Sequence, residues 1–104
     1  MKEYKVTITE KATKDMYEIT SYIGNELLDM QAANRLLEKF KVSIVSLSNM
    51  PKRHSLLQDE ELAGRGIGRI VVDNYIIFYI CSDKDKVVRL IRVLYHKRDW
   101  VTLI

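Results

Sequence analysis

The segment Tyr4-Lys5-Val6-Thr7-Ile8-Thr9 alternates apolar and polar side chains and is rich in β-branched residues, which predicts a strand with one buried face. From Glu10 the period changes. Ala12, Met16, Ile19 and Ile23 recur at spacings of four, three and four, with Thr9 placed to cap the start and Gly24-Asn25 to stop the run. This predicts an amphipathic helix of about four turns. A second helix is predicted after Asp29, because Ala33, Leu37, Phe40, Ile44 and Leu47 hold the helical spacing until Asn49-Met50-Pro51 ends it. The short link between the two implies an antiparallel helical hairpin.

Residues 52–63 have mixed polarity and no sustained period, and read as a connection with room for a helical turn. Gly64, Gly66 and Gly68 then precede Arg69-Ile70-Val71-Val72. They do not form a nucleotide-binding loop, because a strand follows and no helix N-terminus faces a phosphate. Asp73-Asn74 reads as a tight turn, residues 75–81 as a strongly apolar strand for the middle of a sheet, and residues 82–86 as a second turn before a strand over 87–95. The order is strand, helix, helix and three antiparallel strands. The hairpin is the only cover for the sheet, so residues 1–104 are expected to form a single α+β domain with an N-terminal strand and two-helix hairpin packed on an antiparallel sheet, β-α-α-β-β-β.

A hydrophobic fraction of 47% with 30% charged residues is an ordinary globular mixture, which excludes a disordered or low-complexity chain. The single cysteine, Cys81, cannot form an internal disulfide, and its apolar surroundings read as those of a buried structural thiol. Neither a Cys/His metal site nor a cofactor motif is visible. No signal-peptide pattern or membrane-length apolar run is present either, so the expected location is the cytoplasm, with no membrane partner. The net charge of +3 is unevenly placed. Residues 1–50 hold seven basic and seven acidic side chains and residues 51–73 four of each, whereas residues 74–104 hold six basic and three acidic. The excess therefore lies in the last third, where it suits phosphate or an acidic partner, although +3 is small beside dedicated nucleic-acid binders.

The densest chemistry lies in Arg92-Val93-Leu94-Tyr95-His96-Lys97-Arg98-Asp99-Trp100, which brings an imidazole, a phenol and several cations to a strand end. Strand parity sends Arg92, Leu94 and His96 to one face and Val93, Tyr95 and Lys97 to the other, so they converge only if the strand ends near Tyr95. A metal-free ribonuclease needs a base for the 2′-hydroxyl, an acid for the 5′-oxygen and cations for the phosphorane, roles open to His, Tyr, Lys and Arg. The plainer account is a solvated strand end with Tyr95 and Trp100 packed on the hairpin. Arg69 can approach the same sheet end, or serve as a surface ion pair of little energetic worth. Lys52, Arg53 and His54 form a smaller basic cluster, and the adjacent acids Glu60-Glu61 lack the spacing of a paired-carboxylate mechanism.

Over nearly its whole length the chain resembles the RelE/ParE superfamily of toxins from bacterial type II toxin–antitoxin systems. The resemblance rests on Tyr4 to Thr9 followed by Ala12 through Tyr22-Ile23, on Leu47 through Pro51-Lys52-Arg53, on Gly66-Ile67-Gly68-Arg69 with Val72-Asp73-Asn74-Tyr75, and above all on the segment from Arg92 to Trp100. It implies a helical hairpin on an antiparallel sheet, and a cognate antitoxin whose C-terminal segment wraps the toxin in a hetero-oligomer. RelE-like members enter the ribosomal A site and cut mRNA, whereas ParE-like members inhibit DNA gyrase without being nucleases. On the first reading, Arg69 matches a catalytic strand arginine of the YoeB-like branch and Tyr95-His96 resembles its terminal Tyr-His pair. His96 would then be general base or acid, Arg69 would stabilise the phosphate, and Lys97 or Arg98 would assist, with Lys52, Arg53 and Arg92 as further RNA-binding cations. Lys97 stands where that branch has a tyrosine. The long hairpin and the tail from Val93 to Asp99 are equally similar to ParE. Arg69 with His96 makes a chemically complete minimum, so mRNA cleavage on the ribosome is the first expectation, gyrase inhibition the second, and a non-toxic antitoxin-binding partner in operon autoregulation the third.

Overall fold

The structure, a computed structural model, describes residues 3–49, 66–82 and 84–98 together with Leu103. The predicted connection at 52–63, with Lys52, Arg53, His54 and Glu60-Glu61, and the tail residues Asp99 and Trp100 lie outside the described residues.

The alternating segment forms β1 (Lys5–Ile8), and Thr9 ends it by capping α1 (Glu10–Ser21), its Oγ1 accepting the Ala12 N–H at 3.2 Å. The same hydroxyl donates to the Ile91 carbonyl at 3.3 Å, so one side chain joins strand, helix and sheet. Thr9→Ala should cost about 1 kcal/mol, the usual worth of such a cap, read as a lower urea midpoint with unchanged slope.

The first helix does not run unbroken to the predicted stop. It passes at Tyr22 into a single π-helical turn, Tyr22–Glu26, closed by Leu27 N–H to the Tyr22 carbonyl at 3.1 Å. Gly24, buried in this turn, lets the Met30 side chain pack close, since a Cβ there would lie 2.7 Å from the Met30 sulfur. The chain then turns through Leu28, whose φ of 54° is left-handed, and Asp29 caps α2 (Met30–Ser46) by accepting the Ala32 N–H at 2.9 Å. The second helix ends at Ser46, a few residues before the predicted stop.

Gly66, with φ of 75°, leads into β2 (Ile67–Val72), and β3 (Tyr75–Ser82) and β4 (Val87–Tyr95) follow through tight turns at Asp73-Asn74 and before Val87. The sheet order is β1-β4-β3-β2, with antiparallel β2–β3 and β3–β4 pairs. β1 lies parallel to β4, which makes β4 an interior strand beside β3. The helices pack Ala12, Leu36, Phe40 and Leu47 against Ile70, Val72, Ile77, Tyr79, Val88, Leu90 and Val93. Cys81 is half-buried at the margin of this layer. The opposite face carries a smaller cluster, Ile67, Ile76, Phe78 and Leu94, with Leu103 packed against it. Among the described residues no helix is long and apolar enough to cross a membrane.

Candidate functional site at the end of strand β4

Because β1 stops at Ile8 and turns into α1, β4 beyond Ile91 has no partner strand on that side. A register shift between Phe78 and Tyr79 gives β4 one extra residue there, a bulge that brings Arg92 within reach of α1. Asp15 fills the gap. Its carboxylate accepts from Arg92 Nε at 2.7 Å, Arg92 Nη2 at 2.9 Å and the Val93 N–H at 3.0 Å, while Arg92 Nη1 donates to the Leu103 carbonyl at 2.9 Å. The two side chains are 18% and 11% exposed for Arg92 and Asp15 respectively. The hydrogen bonds to Asp15 raise the Arg92 pKa further, against the opposing effect of burial. Arg92, expected to bind phosphate, is thus committed to an internal fork-to-fork pair. Asp15 is the residue the sequence reading missed. Its only signal was a carboxylate three residues after Ala12, inside an otherwise apolar helical stripe.

Past this clasp β4 ends at Tyr95, and the chain turns, with Arg98 N–H bonded to the Tyr95 carbonyl at 3.0 Å. His96 is exposed. Its backbone N–H and its ring Nδ1 both lie 2.9 Å from the Asn74 carbonyl oxygen, in the β2–β3 turn. A carbonyl only accepts, so Nδ1 is the donor to it and Nε2 is the ring nitrogen this bond leaves unused. The Tyr95 ring sits 4.8 Å from the imidazole and 5.8 Å, edge-on, from Tyr75, which in turn meets Phe40 at 6.1 Å. Tyr22, Tyr75, Tyr95 and Arg98 share a cleft of about 210 Å³ with Glu18 and Asp15. Burial, and then the neighbouring Tyr95 and Tyr22 phenols, raise the Tyr75 pKa, which keeps its hydroxyl protonated.

Tyr95, His96 and Arg98 therefore meet at one exposed corner, with Lys97 between the last two in the chain. Arg69 does not join them. It is level with Phe78 and Arg92, two strands from β4 and four residues short of His96, about 16 Å away at the usual strand rise and spacing. The His96 ring is turned onto Asn74 and not along the sheet toward it. Among the described residues, no group of His, Cys, Asp and Glu side chains could hold a metal ion.

A family model for the ParE toxin of the type II toxin–antitoxin system parDE matches residues 6–100. The chain belongs to the ParE toxin family. Solved structures agree on the fold of this ParE-family chain. The chromosomal ParDE system of Pseudomonas aeruginosa superposes with a TM-score of 0.72 at 12% identity, covering 91% of this chain and 98% of the other. An arginine-substituted Escherichia coli RelE in the free state gives 0.65 at 18% identity, covering 97% and 92%. The RelBE2 toxin–antitoxin complex of Mycobacterium tuberculosis gives 0.61 at 21%, covering 89% and 98%. A comparison with curated proteins gives no match. The ParE-family chain is thus a toxin of the wider RelE/ParE group, with the α+β architecture that its periodicity predicts.

Proposed function

We propose that the chain arrests growth by binding DNA gyrase and is held inactive by a cognate antitoxin in a hetero-oligomer, acting without nuclease chemistry. The observation that carries this reading is the commitment of Arg92 to Asp15, with Arg69 some distance from His96. A transferring phosphate needs its cations converged on it before reaction, and these two strand arginines are not arranged that way. The ParE family match and the small net charge support a protein target. The antitoxin follows from the ParDE and RelBE2 systems that share the fold.

A second reading, ribosome-dependent mRNA cleavage, is favoured by an exposed His96 whose Nε2 is not used by the Asn74 bond, with the Tyr95 ring beside it and Lys97 and Arg98 next in the chain. On that reading His96 is the base, Tyr95 the acid, and Arg69, Lys97 and Arg98 bind phosphate together with Lys52 and Arg53. Two measurements separate the readings. The purified chain should block supercoiling by purified gyrase without ribosomes, and primer extension during induction should show no codon-phased cuts. An inert supercoiling assay together with phased cuts, abolished by His96→Ala or Arg69→Ala in folded protein, would replace the first reading with the second.

A further inference from the structure

The helical hairpin differs in chemistry from the corner just described. From Asp15 to Asn34 the chain has no Lys, Arg or His; Asp15 is paired with Arg92 and Glu18 lies 3.9 Å from Lys14, which leaves Glu26 and Asp29 as the acids flanking the tip. At its tip Leu27, Leu28 and Met30 are 57%, 84% and 59% exposed, and Tyr17 and Tyr22 stand outside the core along the same lobe. Leu28 is also the strained residue of this turn. Its φ of 54° disfavours a bulky side chain, whereas glycine or asparagine would fit at little cost. The segment thus keeps an exposed leucine where both solvation and backbone geometry favour another residue. Asp73 and Lys86 adopt the same backbone in turns, so what sets Leu28 apart is the large apolar side chain held 84% exposed on it.

We infer that the hairpin tip is the target-contacting knob of the toxin, with Leu28 inserted into an apolar pocket on a protein whose rim is basic. This inference rests on the toxin reading above. The carboxylates of Glu26 and Asp29 beside these apolar side chains are repelled by a phosphate backbone, so a nucleic acid is a poor occupant and a cationic protein surface a good one. The leucine fills the pocket and the acids set the register.

Leu28→Gly and Leu28→Asn test this directly, since both relieve the backbone while removing the knob. Each variant should melt at the parental temperature or up to about 5 °C above it. Each should still co-purify with the small antitoxin encoded beside it, yet lose growth arrest on induction by about tenfold or more, with a parallel loss in the gyrase assay. Leu28→Met should keep the activity. Full toxicity in both relieved variants would overturn the inference, as would a lower melting temperature in both, which would make Leu28 a structural residue. Loss of antitoxin capture would assign the tip to the antitoxin, and self-association of the parent that Leu28→Gly abolishes would assign it to a second copy; either outcome overturns the proposal. A toxic parent that leaves gyrase unaffected would remove the gyrase reading, while growth arrest still decides the knob. A parent that arrests nothing would remove both.

Discussion

Asp15→Ala should be the most damaging single substitution in the described part of the chain, costing about 3–5 kcal/mol, the usual penalty for stranding one partner of a buried ion pair. The physical reason is that three donors lose their acceptor together: two guanidinium N–H groups of Arg92 and the backbone N–H of Val93, on a stretch of β4 where no strand replaces it. Small domains hold only about 5–15 kcal/mol in total, so the variant would sit near the edge of folding. Urea unfolding measures the loss. The double variant Asp15→Leu with Arg92→Met should be less damaged than Asp15→Ala, because no guanidinium is then buried alone and only the Val93 N–H stays unpaired. A double variant at least as unstable as Asp15→Ala would show that the carboxylate acts through something other than Arg92.

Gly68→Ala should cost about 3 kcal/mol, at the upper end for overpacking a core. A Cβ at this position of β2 would lie 2.6 Å from Cζ and 2.8 Å from the hydroxyl of Tyr79, the cross-strand partner. That ring is 2% exposed in the core beneath the helices, and its burial pushes the phenol pKa up to about 12. Thermal unfolding should fall by more than about 10 °C in a domain of this size. Adding Tyr79→Leu should restore part of the loss, so that the pair costs less than the sum of its parts. Strict additivity would mean that the ring is not the obstacle.

These two sites mark where sequence reasoning reaches its limit. The helices were legible because their apolar spacing and their caps, Thr9 and Asp29, are local signals that act within a single turn. The three C-terminal strands were legible from their turns. Asp15 and Arg92 were not, because 77 residues separate them and the bulge that brings them together leaves no local mark. Parity alone assigned Arg92 and His96 to one face, whereas the extra residue in β4 and the turn at His96 give each a different neighbour. β4 ends at Tyr95, where the periodic pattern ends, and there the Tyr95 and His96 rings meet and Arg98 lines the cleft beside Tyr95. Leu28 was invisible for a different reason. Glycine and asparagine stand earlier in the link, and the left-handed conformation falls on a residue whose type does not ask for it.

The parallel pairing of β1 with β4 also sets the order in which the fold can be completed during synthesis. The first strand emerges early in synthesis and its neighbour last, with 82 residues between Thr9 and the Ile91 carbonyl that its hydroxyl meets. At about 5–20 residues per second, β1 spends several seconds without its partner, and contacts of such long range close slowly. The hairpin can collapse early, but the corner bearing His96 is assembled only after β4 has left the ribosome. Premature termination anywhere before β4 therefore yields a fragment without the sheet end and without the Asp15–Arg92 clasp, a helical hairpin whose apolar face has no completed sheet to cover.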